Sequence, residues 1–193
     1  MAEKYSIISK GKNIMLRDGA KSDIEHYIRW WDEGEWRNYD APWEVENEDM
    51  SKKKRKKMFK KLYIKSKEYP RKRAIISTLE GTPLGWVNRY NDREDLDFWY
   101  IGIDICEDEY LGRGYGTEAL ELWIEYLLDN SDIHKISLRT YSFNKRMQKV
   151  AEKVGFAKEG REREIKKWKG RYIDRVGYGL LRKKWKDDKE EDR

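Results

Sequence analysis

The stretch "EDEYLGRGYGTEALELW", Glu107 to Trp123, sets glycines at 112, 114 and 116, immediately ahead of a run with helical spacing. Glycine admits positive φ and leaves room for a ligand to touch the backbone where a Cβ would stand. A helix beginning directly behind such a loop offers unpaired N–H groups and the positive end of its dipole. Together these features make an anion site, and a phosphate or pyrophosphate is the ligand they suit. Two better-known phosphate loops do not fit. A Walker A loop needs Lys followed by Ser or Thr after its last glycine, whereas Thr117-Glu118 follow Gly116. A dinucleotide fingerprint needs its third glycine where Thr117 stands. Taken alone, the triplet is explained equally well as a tight turn and a helix cap without a ligand.

The loop sits inside a strand, loop, helix, strand, short-helix unit. Ahead of it, "DFWYIGIDIC" carries an almost continuous run of bulky residues and reads as a long central strand, with Gly102 marking a bulge or a close backbone neighbour. Behind it, Leu120, Trp123, Ile124, Leu127 and Leu128 fall on one helical stripe. "HKISLRT" reads as a buried strand, and "NKRMQKVAEKVGF" as a short helix closed by a left-handed cap at Gly155. "EGREREIKKWKGRYIDRVGYGLL" reads as a hairpin turning at Lys169-Gly170. Upstream, "NIMLRDG" predicts a first strand and "SDIE", Ser22 to Glu25, a capping box before a helix carrying Ile24, Tyr27, Ile28 and Trp31. A second helix is expected from Ser51 to about Ser66 on a stripe of Met58, Phe59, Leu62 and Tyr63, and "RAIISTLE" and "WVNRY" are strands around Gly81 to Gly85. Residues 186–193 read as a charged, disordered tail behind a single domain over 1–185.

Composition narrows the classes. The 193 residues are 41% charged yet 13% aromatic, and the rings supply apolar area that a disordered chain lacks. A single Cys, Cys106, excludes an internal disulfide framework, and two His with one Cys give no metal-ligand spacing, so no metal is expected. Cys106 ends a strand and reads as a small hydrophobe. No apolar run reaches the ~20 residues of a membrane span and no secretory leader is evident, so a cytoplasmic protein is expected. The net charge of +6 raises nucleic acid as a partner, but the excess concentrates in "SKKKRKKMFKK" and "IKKWKGRYIDR". Such runs are most often solvated faces, and nucleic acid is not the expected ligand.

"GRGYGTEAL" behind a strand ending "IGIDIC", with "NKRMQKVAEKVGF" one strand later, resembles the GNAT superfamily of acetyl-CoA-dependent N-acetyltransferases. The nearest likeness is to its ribosomal-protein N-terminal acetyltransferase branch. The resemblance implies an α/β fold with a mixed, mostly antiparallel sheet that splays between the family's fourth and fifth strands, where acetyl-CoA lies. It implies that backbone N–H groups from Leu111 through Gly112, Arg113, Gly114, Tyr115 and Gly116 to Thr117 hold the pyrophosphate. The edge of Ile103, Asp104 and Ile105 would pair with the pantetheine arm, and Asn144 would bond that arm, or serve simply as a helix N-cap. Leu111 stands where the family usually has Gln or Arg, Met147 where Ser is common, and Ala151 where many relatives carry a Tyr thought to protonate the leaving thiolate.

Direct attack by a primary amine needs a neutral nitrogen. A lysine-like amine with pKa ~10.4 costs about 4.6 kcal/mol to neutralise at pH 7, against about 1 kcal/mol for an α-amine near ~7.8. A site without a strong base therefore leans towards low-pKa amines or relays the proton to a carboxylate. Glu94, Asp95, Asp97 and Asp104 are the candidates, and Tyr141 and Ser142, just past the fifth strand, are the hydroxyls nearest the expected thioester. In "RWWDEGEWRNYDAPWE" the rings of Trp30, Trp31 and Trp36 among carboxylates suit a cationic amine, with Glu94 as a further contact. The acceptor is expected to be a protein N-terminal α-amine, or a small cationic amine such as an aminoglycoside or polyamine. Two other classes remain: a CoA-binding module without turnover, and a nucleic-acid-binding protein. A homodimer is compatible with all of these.

Overall fold

Alternating and helical apolar spacing places the elements of the computed structural model, which describes residues 5–43, 51–64, 68–91 and 97–191. In chain order they are β1 (Ile7–Lys10), β2 (Ile14–Arg17), α1 (Ile24–Asp32), α2 (Lys52–Phe59, continued by a wider π turn over Lys60–Ile64), β3 (Arg73–Thr78), β4 (Pro83–Tyr90), β5 (Phe98–Ile105), α3 (Tyr115–Asp129), β6 (Lys135–Tyr141), α4 (Lys145–Lys153), β7 (Ala157–Trp168), β8 (Arg171–Leu181) and α5 (Arg182–Glu191). No helix among the described residues is long and apolar enough to cross a membrane.

The strands form one sheet in the order β1-β2-β3-β4-β5-β6-β8-β7. Every neighbouring pair is antiparallel except β5 and β6, whose parallel contact joins only Phe98–Tyr100 to Lys135–Ser137. Beyond it β5 stays bonded to β4 as far as Ile105, and β6 to β8 as far as Tyr141. The sheet therefore splits into two halves hinged at three residue pairs, and a wedge opens between them.

Each face of the sheet carries its own core. On one, Leu120, Trp123, Ile124 and Leu127 of α3 are fully buried with Ile14, Leu16, Ile76, Leu84, Ile136 and Ala151. On the other, α1 and α2 bury Tyr27, Trp30, Phe59 and Tyr63 over Ile75 and Trp86. At about 1.5–3 kcal/mol per buried large side chain, these stripes hold the helices on the sheet. One glycine serves close approach: a Cβ on Gly85 would stand 1.9 Å from the Asp104 carbonyl oxygen. The hairpin turns at Lys169-Gly170 as expected, with φ of +46° and +78°.

Three expectations are corrected. The N-cap position of α1 is Asp23 instead of Ser22, and Asp23 closes the 3-10 turn Lys21–Asp23 ahead of the helix, its Oδ2 accepting from the Ala20 N–H at 2.7 Å while it also holds the buried Arg17. The strand β1 escaped notice because it is a short edge with a half-exposed surface. Residues 186–191, expected to lie in a loose tail, are the second half of α5. Its start is fixed by Arg182, which donates to the carbonyls of Leu128, Ser131 and Ile133, and by Trp185, buried in the core.

Arg17 and Asp23, 1% and 2% exposed, pair at 2.7 Å, and Arg17 donates further to Ser77 and the Gly81 carbonyl. Removing one partner strands the other charge in the core. Asp23→Ala should therefore lower unfolding free energy by about 3–5 kcal/mol in urea titrations; a loss under about 1 kcal/mol would show that water reaches Arg17.

Candidate active site

The wedge between β5 and β6 is a cleft of about 640 Å³. One of its walls is a bare strand edge. The Cys106 N–H donates to the Leu84 carbonyl at 2.7 Å, on the β4 side. Backbone groups alternate sides along a strand, so the N–H and C=O of Ile103 and Ile105 point the other way, into the cleft. Among the described residues no strand pairs with them, because the β5–β6 register ends at Tyr100 and Ser137. Buried backbone groups need partners, and these await an extended ligand bearing amides.

At the end of that edge lies the glycine loop. Gly112 and Gly114 have φ of +73° and +89°, left-handed conformations that a side chain strains to adopt, and a Cβ on either would meet no protein atom within 4 Å. The loop thus bends without its glycines being needed for packing. The first helical hydrogen bond of α3 runs from the Glu118 N–H to the Gly114 carbonyl at 3.1 Å. The N–H groups of Tyr115, Gly116 and Thr117 precede it, and none of them meets a protein acceptor among the described residues. Gly112, Gly114, Gly116, Thr117 and Leu111 line the cleft, with Lys149 and Lys153 of α4 opposite. Arg113 is exposed, and Tyr115 turns aside to stack edge-on with Tyr110.

Strand parity sorts the remaining walls. Ile103 and Ile105 face α3 and its core. Asp104 faces the opposite side, where Trp86 lies across from it and donates its indole N–H to the carboxylate. Burial pushes the Asp104 carboxyl well above the ordinary aspartate value of 3.8, and the charge of Asp40 pushes it further. Asp40 also lines the cleft, with Trp36, Tyr39, Tyr90 and Tyr141. Asn88 completes this side: its Oδ1 is buried without a partner, beside the bare Cα of Gly102.

Residues 34–43 strap this side of the wedge to both halves of the sheet. The Glu35 N–H donates to Asp108 in the glycine-loop approach at 2.8 Å, while its carboxylate pairs with Arg146 of α4 at 2.8 Å. Asn144 donates to the Tyr39 carbonyl at 3.3 Å, and Trp43 packs edge-on against Tyr141. Glu107 fastens α1 to the loop, accepting from Trp30 at 2.8 Å and pairing with Arg29.

Several sequence-derived candidates lie elsewhere. Asp97 immediately precedes β5 at the hinged end, about 23 Å of extended chain from Asp104 at ~3.3 Å per residue, too far to share its chemistry. Ser142 does not line the cleft, and its hydroxyl accepts from the Asp174 N–H at 3.3 Å. Trp30 is fully buried, and Trp31 packs among Tyr27, Trp36 and Trp86, so only Trp36 of the three reaches the cleft. Asn144 is the N-cap of α4, its Oδ1 accepting from the Met147 N–H at 3.0 Å, and it lines the cleft as well. Ala151 is fully buried in the α3-side core, so a Tyr there would have to displace packed neighbours. Glu94 and Asp95 lie outside the described residues. Sequence reasoning missed Asn88; it named Asp40 only as one of the carboxylates, with Asp32, Glu33 and Glu35, that bracket the aromatic stretch, and of these four Asp40 is the one that lines the cleft.

Comparison with known proteins bears on this geometry. Residues 13–157 match the family model described as an acetyltransferase (GNAT) domain. The chain is 30% identical over 114 residues to the SPbeta prophage-derived uncharacterized N-acetyltransferase YokL of Bacillus subtilis, covering 58% of this chain and 63% of that protein. It spans about half to two thirds of the length of the curated relatives it matches. Among solved structures, RimL, a ribosomal L7/L12 alpha-N-protein acetyltransferase in complex with coenzyme A, superposes with a TM-score of 0.75 at 18% identity, covering 91% of this chain and 98% of that one. Spermidine N-acetyltransferase from Vibrio cholerae, with CoA and spermine, gives 0.72 at 20% identity, covering 89% and 97%.

Gly116 has an ordinary helical backbone, and a Cβ there would touch only the Ile105 side chain at 3.8 Å. Gly116→Val should accordingly keep its melting temperature within a few degrees while coenzyme A affinity in calorimetry falls at least about tenfold, or ~1.4 kcal/mol. Undiminished affinity would remove the loop from the binding site.

Proposed function

Because the chain belongs to the GNAT acetyltransferase family, we propose that it moves the acetyl group of acetyl-CoA onto a primary amine in the β5–β6 cleft. The observation that carries this reading is the conjunction of an unpaired strand edge with unpaired N–H groups at the glycine loop. The amides of 112–117 receive the pyrophosphate, the Ile103 and Ile105 backbone receives the pantetheine amides, and the cosubstrate supplies an activated acyl group. A cleft-facing N–H of β5 polarises the thioester carbonyl. The amine nitrogen bonds to the carbonyl carbon as the C–S bond breaks, and the departing thiolate, of pKa ~8.5, can leave before it is protonated. Tyr141 is one of the hydroxyl-bearing residues that line the cleft, and in this reading it supplies that proton.

Asp104 takes the amine's proton, with Asp40 holding the ammonium beside it. A carboxyl raised by burial is better matched to an amine than an ordinary one, because general bases work best when their pKa approaches the working pH. An α-amine needs the smaller push, which favours a peptide N-terminus as acceptor. A second reading is supported by the two carboxylates facing one cleft: a small amine carrying more than one positive charge could engage both. A thiol-release assay over N-terminal peptides, polyamines and aminoglycosides, with products identified by mass spectrometry, separates the two. No acetylated product from any amine would defeat the proposal.

Asp104→Asn should lower turnover about 10²–10⁴-fold while coenzyme A affinity holds within about twofold. The same variant tests the raised carboxyl. A folded-state pKa above the ordinary value means that ionisation costs stability as pH rises past 3.8. The variant should melt at or above the wild type at pH 7, with the gap closing as pH falls towards 3.8. Lower melting at pH 7 together with unchanged turnover would contradict both roles.

A further inference from the structure

Helix α2 carries a face that the cleft does not use. Its buried side is Arg55 and Phe59, continued by Tyr63. Lys52, Lys53, Lys54, Lys56 and Lys57 are exposed around the rest, and Lys61 extends the row into the following turn. At 100° per residue the exposed lysines sweep about 200° of the helix without an acidic residue among them. The pairs 52/56, 53/56, 53/57 and 54/57 are like charges at helical contact spacing, which destabilise the helix that bears them. Among the described residues none of these six lysines forms an ion pair. Asp32, the acid at their edge, is within electrostatic reach of Lys52 but is already held by Arg55. The face carries one sign only, in a protein that has 37 acidic residues to interleave. That pattern, which costs the helix local repulsion, is complementary to a polyanion.

We propose that the lysine face of α2 docks the protein on the phosphodiester backbone of nucleic acid. The face lacks the aromatic platforms and amide side chains that read bases, so docking is independent of sequence. Its run from residue 52 to 61 covers about 14 Å of helix, enough to meet phosphates spaced along one strand. Lysine acts on phosphate as a point charge and needs no fixed fork geometry, which suits a flexible exposed row. Because α2 packs with α1 over the face of the sheet that Asp104 looks onto, docking there would bring acceptors associated with nucleic acid to that side of the cleft.

The test is fluorescence anisotropy of the full chain with a labelled 20-mer single-stranded RNA and a labelled duplex DNA, across a salt series. Both are expected to bind, because the charge is read and not the sugar. Lys53→Gln/Lys56→Gln/Lys57→Gln should weaken binding and reduce the slope of log K against log salt by about 0.7 per lysine for the single strand and about 0.9 for the duplex. A matched loss of three charges on the hairpin, Lys158→Gln/Lys167→Gln/Arg171→Gln, should leave the slope unchanged. The helix triple variant should melt no lower than the wild type, since it relieves repulsion. Equal slopes for wild type and helix variant, an equal effect of the hairpin variant, or tighter capture of poly-glutamate than of RNA would overturn the proposal; the last would assign the face to acidic protein.

Discussion

Parallel pairing between β5 and β6 stops after three residue pairs because each strand is claimed on its other side, β5 by β4 through Ile105 and β6 by β8 through Tyr141. The remainder of the molecule follows from that limit. A sheet interior that leaves N–H and C=O groups bare is costly unless something supplies partners, and here the bare stretch faces a cleft instead of solvent-covered packing. The core on the α3 face runs under both halves of the sheet, from Ile14 and Ile76 in one to Ile136, Leu138 and Tyr178 in the other, and so joins them across the wedge. A ligand that adds a short strand's worth of amides completes the sheet without rearranging it.

The glycine loop extends the same logic from strand to helix. Its left-handed residues turn the chain off the end of β5 into α3, whose first residues line the cleft and whose first amides meet no protein acceptor among the described residues. One end of the cleft therefore offers donors only, which suits an anion; the Asp104 side offers carboxylates, which suit a cation. The polarity of the site is set by backbone direction at one end and by side-chain parity at the other. The strap over residues 34–43 then ties α1, the loop approach and α4 together, so the cation end has a wall that belongs to neither half of the sheet.

Much of this was legible in the sequence. The glycine spacing, the α3 stripe and the Lys169-Gly170 turn report local backbone chemistry, and each appears where its residues required. What was obscured depended on long-range placement. Trp30 and Trp31 look like a substrate wall in sequence because rings alternate with acids, yet α1 turns them onto the Trp86 face of the sheet. Asp97 and Asp104 look equivalent in composition; strand length alone carries one to the hinge and the other to the cleft. Asn88 is invisible because its significance lies in facing Gly102 across a strand pair. The tail beyond residue 185 reads as charge without order because its anchor, Arg182, spends its hydrogen bonds on carbonyls at the far end of α3.

The proposed acetyl transfer requires that free backbone amides at residues 112–117 receive the diphosphate of acetyl-CoA. Amide hydrogen exchange resolved to single residues, with and without saturating acetyl-CoA, reads those groups directly. Exchange at 112–117 should slow at least about tenfold on binding, together with Ile103 and Ile105 but without a matching change in the β7–β8 hairpin. Unaltered exchange across the loop in a protein that demonstrably binds the cosubstrate would contradict it.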